Sequence, residues 1–304
     1  MPSDEARTRI TDARGRGLGG CLRALFALPN DDPRKTLAVA LTLCLVCSVL
    51  VSATAVTLRP LQERNAALAL KREVVRVAGL ADRGEDPETA FEHIEVRLVD
   101  LDSGNFVEGA DPLAYSYREA ALDPDRSTAL GDDDTAGIRR RPDWMPVYRA
   151  RKGEGPETLV LPVYGAGLWS TLHGLLAVAP DGRTARAITF YEQQETAGLG
   201  SEVASPRWLA RWAGKTLTDA RGRPVIEVVK GRVELDDPEA DRQIDGLTGA
   251  TLTGNGVTRL IRFWLGERGY GPFLARQRGD RRADTPREDA DAPGAPTPDA
   301  APAT

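Results

Sequence analysis

Between Thr36 and Leu58 the chain carries no charged side chain. As a helix rising about 1.5 Å per residue, such a run reaches roughly 34 Å, enough to cross the hydrocarbon of a bilayer. A buried core helix seldom goes this far uncharged. A secretory signal has a shorter apolar stretch, although Ala53-Thr54-Ala55 has the small residues of a cleavage site. The pattern predicts an uncleaved, single-pass transmembrane helix over residues 36–58. Leu61, Leu68, Leu70, Val74, Val75, Val77 and Leu80, set among charges, predict a second helical stretch over 61–80, broken at Gly84 to Pro87. Ile94 to Leu101 alternates apolar and charged residues at first, as a half-buried strand does. Residues 122–145 are rich in Asp, Arg and Gly and read as a loop or insertion.

Three strands follow, at Thr158–Tyr164, Leu172–Ala179 and Ala185–Tyr191, separated by turns at Gly165–Ser170 and Pro180–Gly182. Glu192 to Gly200 is a polar, glycine-rich loop, and Trp208 to Trp212 suggests a short helix. Pro224–Lys230 and Arg232–Leu235 suggest a hairpin. Val257, Leu260, Ile261, Trp264 and Leu265 recur at helical spacing, with Asn255 or Thr253 as N-cap. Strands and helices without strict βαβ alternation point to an α+β fold. The expected organisation is a basic segment at 1–35, the membrane helix at 36–58, one α+β domain at 59–275, and a Pro- and Ala-rich disordered tail at 276–304.

Charge adds a direction. Arg7, Arg9, Arg14, Arg16, Arg23, Arg34 and Lys35 precede the apolar run, so the positive-inside rule keeps that end in the cytoplasm and the main domain on the outer face of the membrane. Arg59, Arg64, Lys71, Arg72 and Arg76 follow it and reduce the asymmetry. With 40 Lys and Arg against 45 Asp and Glu, the chain lacks the basic balance of a nucleic-acid surface. The cysteines are Cys21, Cys44 and Cys47, so nothing after residue 47 supplies a disulfide or a thiolate metal site. Cys44 and Cys47 have the spacing of a metal or redox pair but lie in the apolar run, where cysteine acts as a small hydrophobe. His93 and His173 fall in no triad or metal spacing, and no catalytic group or metal site is expected.

The segment Asp245-Gly246-Leu247-Thr248-Gly249-Ala250-Thr251 sets an acid, two glycines and a terminal threonine just before the last helix pattern. The glycines permit backbone angles and close approaches that a Cβ blocks. A phosphate near Thr251 would lie by a helix N-terminus, whose free N–H groups and dipole favour an anion. The same residues also read as a plain glycine-rich turn, and the physics alone leaves both open.

The loop resembles the flavinylation motif of membrane flavoproteins, Asp-x-x-(Ser/Thr)-Gly-Ala-(Thr/Ser), whose last hydroxyl carries flavin mononucleotide (FMN) through a phosphoester. Two more motifs stand in matching order: Gly165-x-Gly167-Leu168-Trp169-Ser170 and Glu192-Gln193-x-Glu195-Thr196-x-Gly198-Leu199-Gly200. Over about residues 36–275 the chain is similar to the NqrC family, the C subunits of the sodium-translocating NADH:quinone reductase, Nqr. Ala197 stands where that family usually has Pro, and Thr248 and Gly254 stand where it usually has Ser.

The resemblance implies an electron-carrier subunit with an FMN-binding region at about 155–265. It would work within a complex that oxidises NADH, reduces quinone and exports sodium, with the other Nqr subunits as partners. A separate magnesium-dependent flavin transferase would move the flavin from FAD, reading Asp245, Gly249, Ala250 and Thr251. Thr251 would be the attachment residue and Asp245 would anchor or orient the loop. Thr248 would bond a phosphate oxygen or the local backbone. Leu168 and Trp169 would pack on the isoalloxazine or in the core. Glu195 and Thr196 would contact the flavin edge or stabilise turns. Lys230 would favour anionic reduced flavin or stand solvated. No dinucleotide-binding fingerprint follows a first strand, so the isolated chain is not expected to oxidise NADH. The related Rnf ferredoxin:NAD complex, and a membrane-tethered binding domain without redox chemistry, are the alternative readings.

Overall fold

A computed structural model describes residues 32–81, 86–151, 157–234 and 236–284. The basic segment before residue 32, Cys21, Gly84 and the tail after residue 284 lie outside them. The chain divides into two compact units, Met1–Ala67 and Leu68–Thr304.

Helix α1 (Pro33–Val77) begins in the first unit and contains the apolar run. It is the one helix, among the described residues, long and apolar enough to cross a membrane. Its apolar stretch is not buried in the protein; Leu41, Leu43, Leu45, Val49 and Val51 all face outward. Water does not stabilise such a surface, whereas a bilayer does. The hydroxyls of Thr54 and Thr57 donate to Leu50 O (2.8 Å) and Ala53 O (2.7 Å), so these polar groups are satisfied inside the helix. Cys44 and Cys47 are exposed free thiols.

The second unit is α+β, as the sequence pattern predicts. Its centre is an antiparallel sheet of β1 (Ile94–Asp100), β4 (Trp144–Ala150), β5 (Thr158–Ala166), β6 (Thr171–Val178) and β7 (Ala185–Glu192), in the order β1-β4-β5-β6-β7. Both faces are covered. Leu159, Leu161 and Val163 of β5 point into the larger core, while Val160 between them meets Val74, Val75 and Val77 from the end of α1 and Ala90 and Phe91 from helix α2 (Pro87–Glu92). That two-sided burial explains why β5 and β6 read as nearly unbroken apolar runs. Two short helices complete the middle of the chain: α3 (Tyr117–Leu122), capped by Ser116, and α4 (Pro206–Leu209), capped by Ser205; α4 overlaps the expected helix at 208–212 and begins two residues before it.

Four sequence expectations need correction. Residues 122–145 are not simply a loop: β2 (Ser127–Ala129) and β3 (Arg140–Pro142) pair antiparallel there, and β4 begins at Trp144. The ordering groups are polar. Asp134 accepts the N–H groups of Ile138 (2.9 Å) and Arg139 (2.7 Å), and buried Arg141 donates to Asp102 Oδ1 (2.7 Å) and Arg268 O (3.0 Å). The hairpin over 224–235 is absent among the described residues. Instead β8 (Glu227–Val228) pairs in parallel with β9 (Gln243–Ile244), and the N–H of Val233 turns to the Asp245 side chain. The last apolar-periodic helix, α5 (Thr251–Leu265), starts earlier than expected: Ala250 occupies the N-cap position, and Thr253 and Asn255 lie within the first turns. Finally, helix α6 (Gly271–Asp284) runs past residue 276, burying Phe273 and Leu274, so the ordered chain continues into the stretch read as tail.

Helix α5 lies against β5 at backbone distance. A Cβ on Gly256 would stand 2.6 Å from Ala166 O, so only glycine allows this approach. Trp264 Nε1 donates to Tyr164 O at 2.6 Å from a fully buried position.

Candidate functional site

The motif loop spans from β9 to the first turn of α5 and is held at both ends. At its start, Asp245 accepts the Val233 N–H on Oδ1 (2.7 Å), pairs through Oδ2 with Arg211, and its main-chain oxygen accepts Trp208 Nε1 (2.8 Å). At its end, Leu247 and Ala250 are buried, and the Ala250 N–H closes a turn on Leu247 O (3.0 Å). Gly249 sits at φ +73°, a left-handed angle that side chains disfavour. The loop therefore turns sharply and leaves Thr248, Gly249 and Thr251 exposed.

Thr251 is the first residue of a 15-residue helix, and Ala250 before it makes no side-chain cap. The opening N–H groups of α5 thus lack both intrahelical partners and a capping oxygen. Together with the helix dipole they form a ready site for a phosphate.

Glu195 connects this helix to a second loop. It is buried, with Oε2 accepting the Thr253 hydroxyl (2.7 Å) and Oε1 accepting the N–H groups of Leu168 (3.1 Å), Trp169 (3.0 Å) and Ser170 (3.3 Å). Burial pushes its carboxyl upward, but the hydrogen bonds from Thr253, Trp169, Leu168 and Ser170 win and hold it below the ordinary glutamate range. Its oxygens are occupied inside the fold by these donors. Thr196 lies exposed beside it, its carbonyl accepting the N–H groups of Leu199 (3.1 Å) and Ser201 (3.2 Å).

What Glu195 holds in place is an apolar surface. Trp169 is 72 % exposed and Leu168 43 %, so neither packs in the core. Leu199 lies against Gly249, and Leu252 follows Thr251; both are exposed as well. Exposed large apolar groups gathered beside a candidate anion site suit a ligand with a flat apolar body and a phosphate.

One cleft borders the loop and a second lies beside α5. The first, of about 330 Å³, is lined by Arg207, Arg211, Arg232, Asp245 and Thr248 among others. The other, of about 420 Å³, includes Lys230, Asn255, Thr258 and Arg259. Lys230 is exposed and lies in this second cleft, not in the one that holds Thr248. In the cleft beside the loop Arg207, Arg211 and Arg232 outnumber the acids Glu202 and Asp245, which favours an anionic ligand. Among the described residues no group of three or more His, Cys, Asp or Glu side chains is arranged to hold a metal ion.

Sequence reasoning did not single out Thr253, Arg211, Trp208, Leu199 or Leu252 for the site. Only the partner positions 34 to 58 residues away reveal the first three. Leu199 and Leu252 lie within or beside the motifs, but exposure alone distinguishes them from core leucines.

Comparisons with known proteins bear directly on this constellation. Residues 167–266 match the FMN-binding domain family, a span that opens at the Leu168–Trp169 loop and closes at the end of α5. The C subunit of the Na(+)-translocating NADH-quinone reductase of Vibrio anguillarum is 46% identical over 254 residues, covering 83% of this chain and 98% of that protein. Its counterpart from Pseudomonas aeruginosa is 45% identical over 254 residues, covering 82% and 97%. This chain belongs to the NqrC family, the C subunits of the Na(+)-translocating NADH-quinone reductases.

Solved members share the fold. NqrC of Shewanella oneidensis superposes with a TM-score of 0.63 at 33% identity, covering 69% of this chain and 96% of that one. The corresponding subunit of Parabacteroides distasonis gives a TM-score of 0.55 at 26% identity, covering 71% and 96%. The chain is thus a subunit of an oxidoreductase complex, with an FMN-binding domain, an electron-carrier role and the other subunits of that complex as partners. The apolar helix and the family together make it membrane-associated. The residues present fit FMN: an uncapped helix N-terminus for the phosphate, and Leu168, Trp169, Leu199 and Leu252 for the ring system.

Proposed function

We propose that FMN is joined to this chain through a phosphoester to Thr251 Oγ, and that the domain carrying it stands on the outer face of the inner membrane. The observation that carries this reading is the exposed Thr251 at the first position of an uncapped 15-residue helix. No hydrogen bond to the Thr251 hydroxyl is present among the described residues, and a free threonine hydroxyl is a poor nucleophile. Activation therefore belongs to a separate flavin transferase and its magnesium ion. Thr251 Oγ would attack the flavin-side phosphorus of FAD; the pyrophosphate P–O bond breaks, AMP leaves, and the Thr251 proton passes to a base of the transferase.

Bound FMN supplies reversible electron transfer, and the chain supplies placement. The free N–H groups of α5 hold the phosphate, and Thr248, Gly249 and Ala250 form the turn that exposes the hydroxyl. Leu168 and Trp169 shield one part of the ring system from water. Lys230 contributes positive charge that favours the reduced, anionic form. The basic residues before the apolar run support a single-pass topology with that end inside, and coupling to sodium export is a property of the assembled complex.

The test is a denaturing gel of chain made together with an active transferase. Yellow-green flavin fluorescence should migrate with the polypeptide in the wild type and vanish in Thr251→Ala. Mass spectrometry of the native peptide around residue 251 should show the added FMN, and a bare peptide would overturn the attachment.

A further inference from the structure

Asp245 opens the motif loop, and an exposed acid there would be a natural contact for the transferase. Its carboxylate instead points into the fold. Oδ1 accepts the Val233 N–H at 2.7 Å, Oδ2 pairs with Arg211, and the main-chain oxygen of the same residue accepts Trp208 Nε1 at 2.8 Å. These partners come from two separate segments, the helical turn at 206–212 and the chain after Gly231. The Gly246 N–H adds a bond to Gly231 O at 2.7 Å. The side chains of Arg211 and Asp245 are 33% and 22% exposed, at the wall of the cleft that also contains Thr248. A half-buried charge-assisted pair of this kind is stronger than a surface pair and fixes geometry as well.

We propose that Arg211 is a positioning residue for flavin attachment. It clamps Asp245, and through it the near end of the loop whose far end presents Thr251. On this account the motif's acid acts inside the chain, not as a contact offered to the transferase. The inference rests on attachment at Thr251.

The experiment measures the initial rate of flavin incorporation into the full-length chain in detergent, with purified transferase, FAD and magnesium. The substrates are wild type, Arg211→Gln, Arg211→Lys, Asp245→Asn and the double variant R211Q/D245N, with Thr251→Ala as the blank. Thermal unfolding of each chain before the reaction reports folding. Losing a charge-assisted bond should slow R211Q and D245N by about tenfold each. The double variant should be no slower than D245N alone, because both changes break one pair. R211K, which keeps the charge, should recover most of the rate. Wild-type rates in R211Q with a slow D245N would overturn the proposal, as would multiplied losses in the double variant.

If R211Q does not fold, Trp208→Phe takes its place. It removes the Nε1–H bond to the Asp245 main-chain oxygen together with part of a buried ring, so a loss of about threefold is expected, and the wild-type rate refutes the view that holding Asp245 sets the attachment rate. Failure of the attachment reading looks different: wild type would then incorporate no more flavin than Thr251→Ala.

Discussion

Replacing Glu195 by glutamine tests whether the buried carboxylate is the joint between the Trp169 loop and the flavin-bearing helix. In the wild type, Oε1 accepts three main-chain N–H groups and Oε2 accepts the Thr253 hydroxyl at 2.7 Å. The amide keeps one carbonyl oxygen for the N–H groups but loses the charge that strengthens them. Its NH₂ group replaces Oε2, which also lies 3.2 Å from the Leu168 N–H, so two donors then face each other. Hydrogen bonds to a charged group contribute about 1.5–3 kcal/mol, against about 0.5–1.5 for neutral pairs. Weakening the three shared bonds and misplacing one donor should therefore cost roughly 2–4 kcal/mol. For a domain of this size that lowers the midpoint by roughly 5–15 °C.

The assay is thermal unfolding of the full chain in detergent, followed by circular dichroism at neutral pH and at steps toward acid. The pH dependence has a definite sign. The folded carboxyl lies below its ordinary value of 4.5, so its stabilisation is present above that value. It is lost as the pH falls through the lower folded value. The gap between wild type and Glu195→Gln should therefore be full at about pH 7 and close on acidification below 4.5. Equal midpoints at neutral pH, or a gap that persists in acid, would refute the reasoning.

Three further outcomes are expected. Gly256→Ala places a Cβ 2.6 Å from Ala166 O, a backbone atom that cannot step aside, and should destabilise by about 1–3 kcal/mol in the same unfolding assay. Trp169→Ala removes a side chain that is 72 % exposed, so stability should stay within about 0.5 kcal/mol, while the fluorescence of the attached flavin should change. Burial, aided by the nearby Arg118 charge and partly opposed by Glu192, lowers His173 from 6.5 to about 4. The folded state thus binds its proton less readily than the unfolded one, so His173 costs stability as pH falls from 6.5 through about 4. His173→Phe should flatten that part of the midpoint-versus-pH curve.

Much of the fold was legible because its signals are local. The uncharged run over 36–58, the strands of the 158–191 region and the apolar stripe of α5 each follow from side-chain periodicity. So did the Asp245–Thr251 motif, a contiguous stretch. The strand pair at 127–129 and 140–142 was hidden, because its organising groups are Asp134, Arg140 and Arg141, charged residues that resemble solvated loop in a hydropathy pattern. The supposed hairpin at 224–235 failed for a related reason. Two short apolar runs show that strands can form, but not that Glu227–Val228 finds its partner at Gln243–Ile244.

The order of residues determined, by itself, where the chain is apolar enough for a bilayer, which stretches alternate as strands, and which threonine ends the motif. Those properties depend on neighbours within a few positions. Only the tertiary structure decided that Glu195 faces inward to Thr253, that Asp245 is clamped by Arg211, and that Trp169 stands in solvent while Trp264 is sealed in the core. The two tryptophans have the same chemistry. What separates them is whether another segment comes close enough to exclude water, and that depends on contacts between residues far apart in the chain.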